Sequence, residues 1–179
     1  MAGAVVVALI LGALGGHQGP SPAVVDEAPR LVRVKPADAE MRRLVLSGHA
    51  RSATFRALMD EIHRTNVVVV IQFGLCAKGR VRSCVSHVEG DSRQRHIAVK
   101  VNTRTTDDRL IATIAHELHH ALEIAREPDV TNSEQALALY RRIAIGRCGE
   151  GLDERCETEA ALQVEARVND ELARGLRSQ

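Results

Sequence analysis

A chain of 179 residues is long enough for one domain with a substantial core and too short for two comfortable ones. Its 45% apolar and 26% charged residues are a folded composition rather than a disordered one. A formal charge of +1 with no basic stripe leaves no electrostatic footprint for nucleic acid, and 2% aromatic residues leave little for stacking on bases or sugars.

The first 23 residues read as a separate export element. Ala2–Gly16 carries no charge and the first acidic residue is Asp26. Such a run is short for a bilayer span and about right for the apolar region of a signal peptide, although no Lys or Arg precedes it. "SPA", ending at Ala23, supplies the small residues that a signal peptidase reads. The expectation is a cleaved signal peptide, with an uncleaved N-terminal anchor as the alternative and as the protein's one contact with a membrane. Either places the chain outside the cytoplasm, in a periplasm or secreted.

Residues 24–50 mix Pro, charge and short apolar runs, and read as a linker leading into a short helix around 39–45. The domain proper is expected over 51–179. It opens with a helix in "SATFRALMDEIHRT", N-capped by Ser52, with Phe55, Leu58, Met59 and Ile62 at helical spacing. "NVVVVIQF" is an unbroken β-branched run and predicts a strand buried on both faces. The segment from Cys76 to Cys84 reads as a turn or hairpin tip. "RHIAVKVN" alternates, with Ile97, Val99 and Val101 on one side, and predicts a half-exposed strand at a sheet edge. A long helix runs from "TTDD" to Pro128, and another from about Ser133 to Ile145. A Gly-rich loop, "GRCGEGLDERC", leads to a last helix from about Glu157 onward. The order is that of an α+β fold, a small sheet followed by gathered helices.

Cys76, Cys84, Cys148 and Cys156 form two local pairs of equal spacing with no C-x-x-C. A zinc ribbon or redox motif is therefore disfavoured. Of three possible connectivities, Cys76–Cys84 and Cys148–Cys156 is the expected one, in keeping with an oxidising compartment.

The helix before Pro128 contains "HELHH". His116 and His120 are four residues apart, one helical turn, and Glu117 lies beside them. This H-E-x-x-H spacing is the arrangement by which metallohydrolases bind zinc and place a general base. Ile111, Ile114, Ala115, Leu118, Leu122 and Ala125 form one apolar stripe. The two histidines fall about 140° and 180° from Ile111, so a core on one side leaves them facing a cleft on the other. His119 lies about 60° away from His116 on the wrong side to share an ion, which predicts a supporting or exposed role. Glu123 stands where it can steady His120.

An open zinc site needs a third protein ligand. The extended pattern with Gly at position 123 and His at 126 is excluded by Glu123 and Arg126, and Asp129 lies beyond the Pro128 break. In the last helix Ala160, Ala161, Val164, Val168, Leu172 and Leu176 form a stripe that Glu157 shares, whereas Glu159 points away. A carboxylate at the buried end of such a stripe is costly unless it is paired or ligates a cation, which selects Glu157.

"AHELHHALE" followed by "ETEAA" resembles the zincin metallopeptidases of the gluzincin type, in which a Glu on a later helix completes the zinc site. It is also similar to short secreted bacterial proteins with an H-E-L-x-H-A segment. The resemblance covers about 106–165. It implies a zincin-like fold, a Zn2+ cofactor and a peptide or protein substrate held along a sheet edge, for which "RHIAVKVN" stands in place. One departure is Ala161, where some gluzincins carry an acid that orients a histidine. The expected ligands are His116, His120 and Glu157, with Glu117 as general base and then proton donor. Tyr140, a possible donor to an oxyanion, reads as core. A metal-stabilised secreted domain that binds a partner and cuts nothing is the alternative, and the presence of Glu117 between the histidines argues for chemistry.

Overall fold

A strand pattern followed by helices makes a two-layer arrangement, because each amphipathic element must bury its apolar side against another. The computed structural model describes residues 31–102, 105–152 and 154–177. The signal-peptide or anchor reading of the first 23 residues lies outside the described residues.

The elements are β1 (Val34–Pro36), α1 (Ala39–Arg51), α2 (Ala53–His63), β2 (Val67–Phe73), a 3-10 turn at Ala77–Gly79, β3 (Ser83–Gly90), β4 (Arg95–Val101), α3 (Asp107–Ala125), α4 (Ser133–Ile143) and α5 (Glu159–Arg177). The sheet order is β1-β2-β4-β3. β1, β2 and β4 run parallel, and β3 pairs antiparallel to β4. This is an α+β fold with a four-stranded mixed sheet, as the alternation of patterns requires. Val67, Val69 and Ile71 of β2 and Ile97, Val99 and Val101 of β4 are fully buried in one cluster with Leu44, Phe55, Ile114 and Leu118 of the helices.

Two expectations are corrected here. Residues 34–36, read as linker, form β1, and the short helix expected around 39–45 is present but longer, as α1; Val34, Met41, Leu44 and Val45 are core. Gly48 lets α1 sit close to α2 and α3: a Cβ there would lie 2.8 Å from both Phe55 and Ile111. The "RHIAVKVN" strand is not an edge. It is β4, flanked by β2 and β3, and the sheet edges are β3 on that side and β1 on the other. β3 hides its own period because its register shifts between Val85 and His87, so that Cys84, Val85 and Val88 are buried together.

Helix α3 is fixed at its end by a side chain from the sheet. Arg95 of β4 is buried, and its guanidinium donates to the carbonyls of Ile124, Ala125, Glu127 and Val130 and to Asn66 Oδ1. Those carbonyls at and beyond the end of α3 find their partners in one planar fork. Ser52 caps α2, its Oγ accepting from Phe55 N at 3.0 Å, as its sequence position predicts.

A candidate metal centre

The sequence places His116, Glu117 and His120 on α3, and the fold buries that face as well as the apolar one. Every residue from Leu110 to Leu122 is buried, since α5, β3 and the loop before α5 cover the histidine side. The result is a narrow cleft of about 50 Å³ rather than an open groove. His116, Glu117, His120 and Glu157 line it, with Val81–Val85 of the edge strand and its approach on one side and Leu152, Arg155 and Cys156 on another.

His116 Nε2 lies 3.1 Å from His120 Nε2 and 3.2 Å from Glu157 Oε2. Among the described residues this is the one group of three or more ligand-type side chains whose donor atoms converge, all within 4.8 Å of one another. Two nitrogens about 2.0–2.1 Å from one tetrahedral ion would stand about 3.3 Å apart, close to the observed spacing. Glu117 Oε2 is buried without a hydrogen-bond partner, and Glu157 Oε2 is buried with only the His116 ring at 3.2 Å beside it. Leaving them so is costly unless a cation or a proton serves them. The donor set, two imidazole nitrogens and a carboxylate oxygen, fits a metal ion with an open position.

Glu157 reaches this point by a different route from the expected one. α5 begins at Glu159, and Ala160 of the expected stripe is exposed. Thr158 ends the loop, its Oγ1 accepting from Ala161 N at 3.2 Å. Glu157 therefore sits just outside the helix. Its carbonyl accepts from Ile145 N at 2.8 Å, and Cys156, the preceding residue, is bonded to Cys148. The second disulfide joins Cys76 to Cys84. Both pairs are the expected ones, and no cysteine is free. Glu159 is exposed, and so is Asp129.

A second layer of carboxylates holds the histidines. His120 Nδ1 lies 2.7 Å from Glu123 Oε2, and Glu123 Oε1 accepts from the Thr158 hydroxyl at 2.7 Å. His116 Nδ1 lies 3.3 Å from Glu165 Oε2, and Glu165 Oε1 is 3.1 Å from Arg82 near the start of β3. Glu165 was not expected. Its signal was its position about 40° from Ala161 on the buried stripe of α5, between Val164 and Val168.

Burial opposes a charge on His116, yet the contacts with Glu157 and Glu165 and the charge of Glu117 push its pKa up to about 10. The His116 contact in turn holds the Glu157 and Glu165 carboxyls below the usual range. Burial would raise Glu123, but its bonds to His120 and Thr158 outweigh that and lower it. The cleft is thus arranged around positive charge at the point where the donor atoms meet.

His119 is buried rather than exposed. Both its ring nitrogens are without a hydrogen-bond partner, and Nε2 lies 3.6 Å from Glu123 Oε1. Tyr140 lines the cleft edge-on to His120, but its buried hydroxyl donates to the His120 carbonyl at 2.9 Å, which commits that proton to the scaffold.

Fold and site together define an α+β domain carrying a buried His-His-Glu group able to hold a metal ion. Neither family models, nor curated proteins, nor solved structures give a match to this chain.

Proposed function

We propose that this chain is an exported, zinc-dependent peptidase with a zincin-like active site. The observation that carries the reading is the meeting of His116 Nε2, His120 Nε2 and Glu157 Oε2 beside the buried, unpartnered Glu117 Oε2. A site kept for structure alone has no need of a carboxylate between two ligands. The antiparallel edge strand β3 supports the same reading, because Val81–Val85 borders the cleft where an extended peptide can add to the sheet. The two disulfides suit an oxidising, extracytoplasmic compartment.

His116, His120 and Glu157 are the residues that would hold the ion. When bound, zinc supplies Lewis acidity, which makes water more acidic and polarises a carbonyl. Glu117 takes a proton from the attacking water and passes it to the leaving amine. Glu123 and Glu165 hold His120 and His116 in the ring orientation and tautomer that point Nε2 at the ion. The edge strand, Leu152 and the disulfide loop wall the cleft around these residues.

The test begins with metal content of the purified protein and of Glu157→Ala and Glu159→Ala variants. Wild type and Glu159→Ala are expected to hold about one zinc and Glu157→Ala to lose it. Cleavage of a fluorescence-quenched peptide library should then follow zinc, and Glu117→Gln should keep the metal while losing cleavage. A wild-type protein that binds no metal when offered it ends the reading.

A further inference from the structure

Beside the cleft lies a second pocket of about 290 Å³, between the 3-10 turn at Ala77–Gly79 and the loop closed by Cys148–Cys156. Val81, Glu154 and Arg155 line both, so this pocket adjoins the candidate metal centre. Among the described residues its charged lining is Arg80, Arg147 and Arg155 against Glu154, an excess of positive charge in a chain whose formal charge is +1.

The described carboxylates around it are already shared. Glu154 lies 3.3 Å from Arg80 and also accepts from Glu150 N at 3.0 Å, closing its own loop. Arg155 lies 3.5 Å from Glu157 Oε1, whose other oxygen faces His116. Arg147 makes no hydrogen bond or ion pair with a described residue. Ala77, Val81 and the Cys148 side of the disulfide loop add apolar wall, against which the methylenes of a side chain can lie. A guanidinium fork matches a carboxylate in geometry as well as charge.

We infer that this pocket receives a carboxylate of the substrate peptide, from an acidic side chain or from the C-terminus, with Arg147 and Arg155 as specificity-determining residues. The inference rests on the peptidase reading for the nature of its ligand, and a binding measurement separates the two. Rhodamine-labelled octapeptides of Ala and Leu serve as probes, read by anisotropy at low salt on the Glu117→Gln protein with and without zinc. One probe carries two central glutamates and a C-terminal amide, the second has glutamines instead, and the third is the glutamine peptide with a free C-terminus.

At least one acidic probe should bind about tenfold more tightly than the amidated glutamine peptide, in keeping with charge-assisted hydrogen bonds. Which probe gains distinguishes side chain from C-terminus. Adding Arg147→Gln should weaken that preference, and adding Arg147→Gln with Arg155→Gln should abolish it. Zinc content should be unchanged in the variant lacking only Arg147, since that side chain is exposed and makes no hydrogen bond or ion pair with a described candidate ligand. Equal binding of all probes, binding of none, or a preference that survives the double substitution overturns the inference. If the wild type holds no zinc and cuts nothing while the preference persists, the peptidase reading fails and the carboxylate pocket stands.

Discussion

Glu123 joins α3 to the entrance of α5: one carboxylate oxygen lies 2.7 Å from His120 Nδ1, and the other accepts from the Thr158 hydroxyl at 2.7 Å. Thr158 follows Glu157 in the chain, so the residue that orients one candidate ligand also fixes the segment presenting another. Glu165 does the same for His116 from α5, backed by Arg82.

Replacing either carboxylate with its amide should therefore weaken the metal without removing a ligand. Partners that orient ligating histidines contribute roughly 10–100-fold to affinity. Glu123→Gln and Glu165→Gln are each expected to lose zinc affinity in that range, measured by competition with a chromogenic chelator. Far-UV circular dichroism should stay that of wild type. Affinities indistinguishable from wild type would reduce both glutamates to packing.

The disulfide next to Glu157 leads to a second expectation. Cys148 and Cys156 have Cα atoms 4.5 Å apart and close a loop of sequence separation 8. Such a loop contributes about 2–3 kcal/mol in the chain-entropy account. Cys148→Ser with Cys156→Ser should lower zinc affinity more than Cys76→Ser with Cys84→Ser, because only the former loop ends at a ligand. Equal losses in the two double variants would show that Glu157 is held by its backbone bond to Ile145 instead.

How much of this was legible depended on whether local spacing or a distant partner placed the residue. His116, Glu117 and His120 need nothing beyond helical period, and Glu123 follows from its offset to His120. Glu157 was reached through an argument about a buried stripe that the helix start at Glu159 does not support. The same argument applied one residue past Val164 would have selected Glu165, which does lie on that stripe. The edge strand β3 was hidden by its bulge, since two residues opposing one break the period-2 pattern. β1 was hidden by Pro and charge, and α1 was legible only as a short helix, though Met41, Leu44, Val45 and Gly48 are spaced as one longer helical face. Arg95 shares the inward register of Ile97, Val99 and Val101, an oddity whose resolution needs the end of α3, about 30 residues away in sequence.

That arginine carries a stability prediction. Arg95→Met keeps much of the buried volume but withdraws the donors serving Ile124, Ala125, Glu127 and Val130. Ile124 and Glu127 keep backbone donors, from Glu127 N and Val130 N, but the Ala125 and Val130 carbonyls lose their partner; at about 1–3 kcal/mol for each group left unmade, the fold should lose roughly 2–5 kcal/mol. Arg95→Lys should recover part of this, because an ammonium donates but cannot span the same set of carbonyls. Urea unfolding of the three proteins checks the order. A methionine variant as stable as wild type would show that water replaces the guanidinium.

The last prediction concerns pH and lies away from the candidate ligands. Glu171 of α5 accepts from the hydroxyls of Ser52 and Thr54 and from Thr54 N, binding α5 to the start of α2. Burial would raise its pKa, but those bonds and Arg174 outweigh it and hold the carboxyl below its ordinary value. A carboxyl lowered in the folded state stabilises the fold above its unfolded pKa of about 4.3, and the contribution is lost as pH falls through the folded value. Urea midpoints of wild type and Glu171→Gln should therefore differ most near neutral pH and converge as the solution is acidified below about 4. The amide oxygen can still accept from Ser52 Oγ and Thr54 N, but the amide loses the second acceptor oxygen and the charge that strengthens all three bonds. If the two midpoints keep a constant gap down to low pH, the link between α2 and α5 is one of shape and hydrogen bonding, and the charge on Glu171 contributes nothing to it.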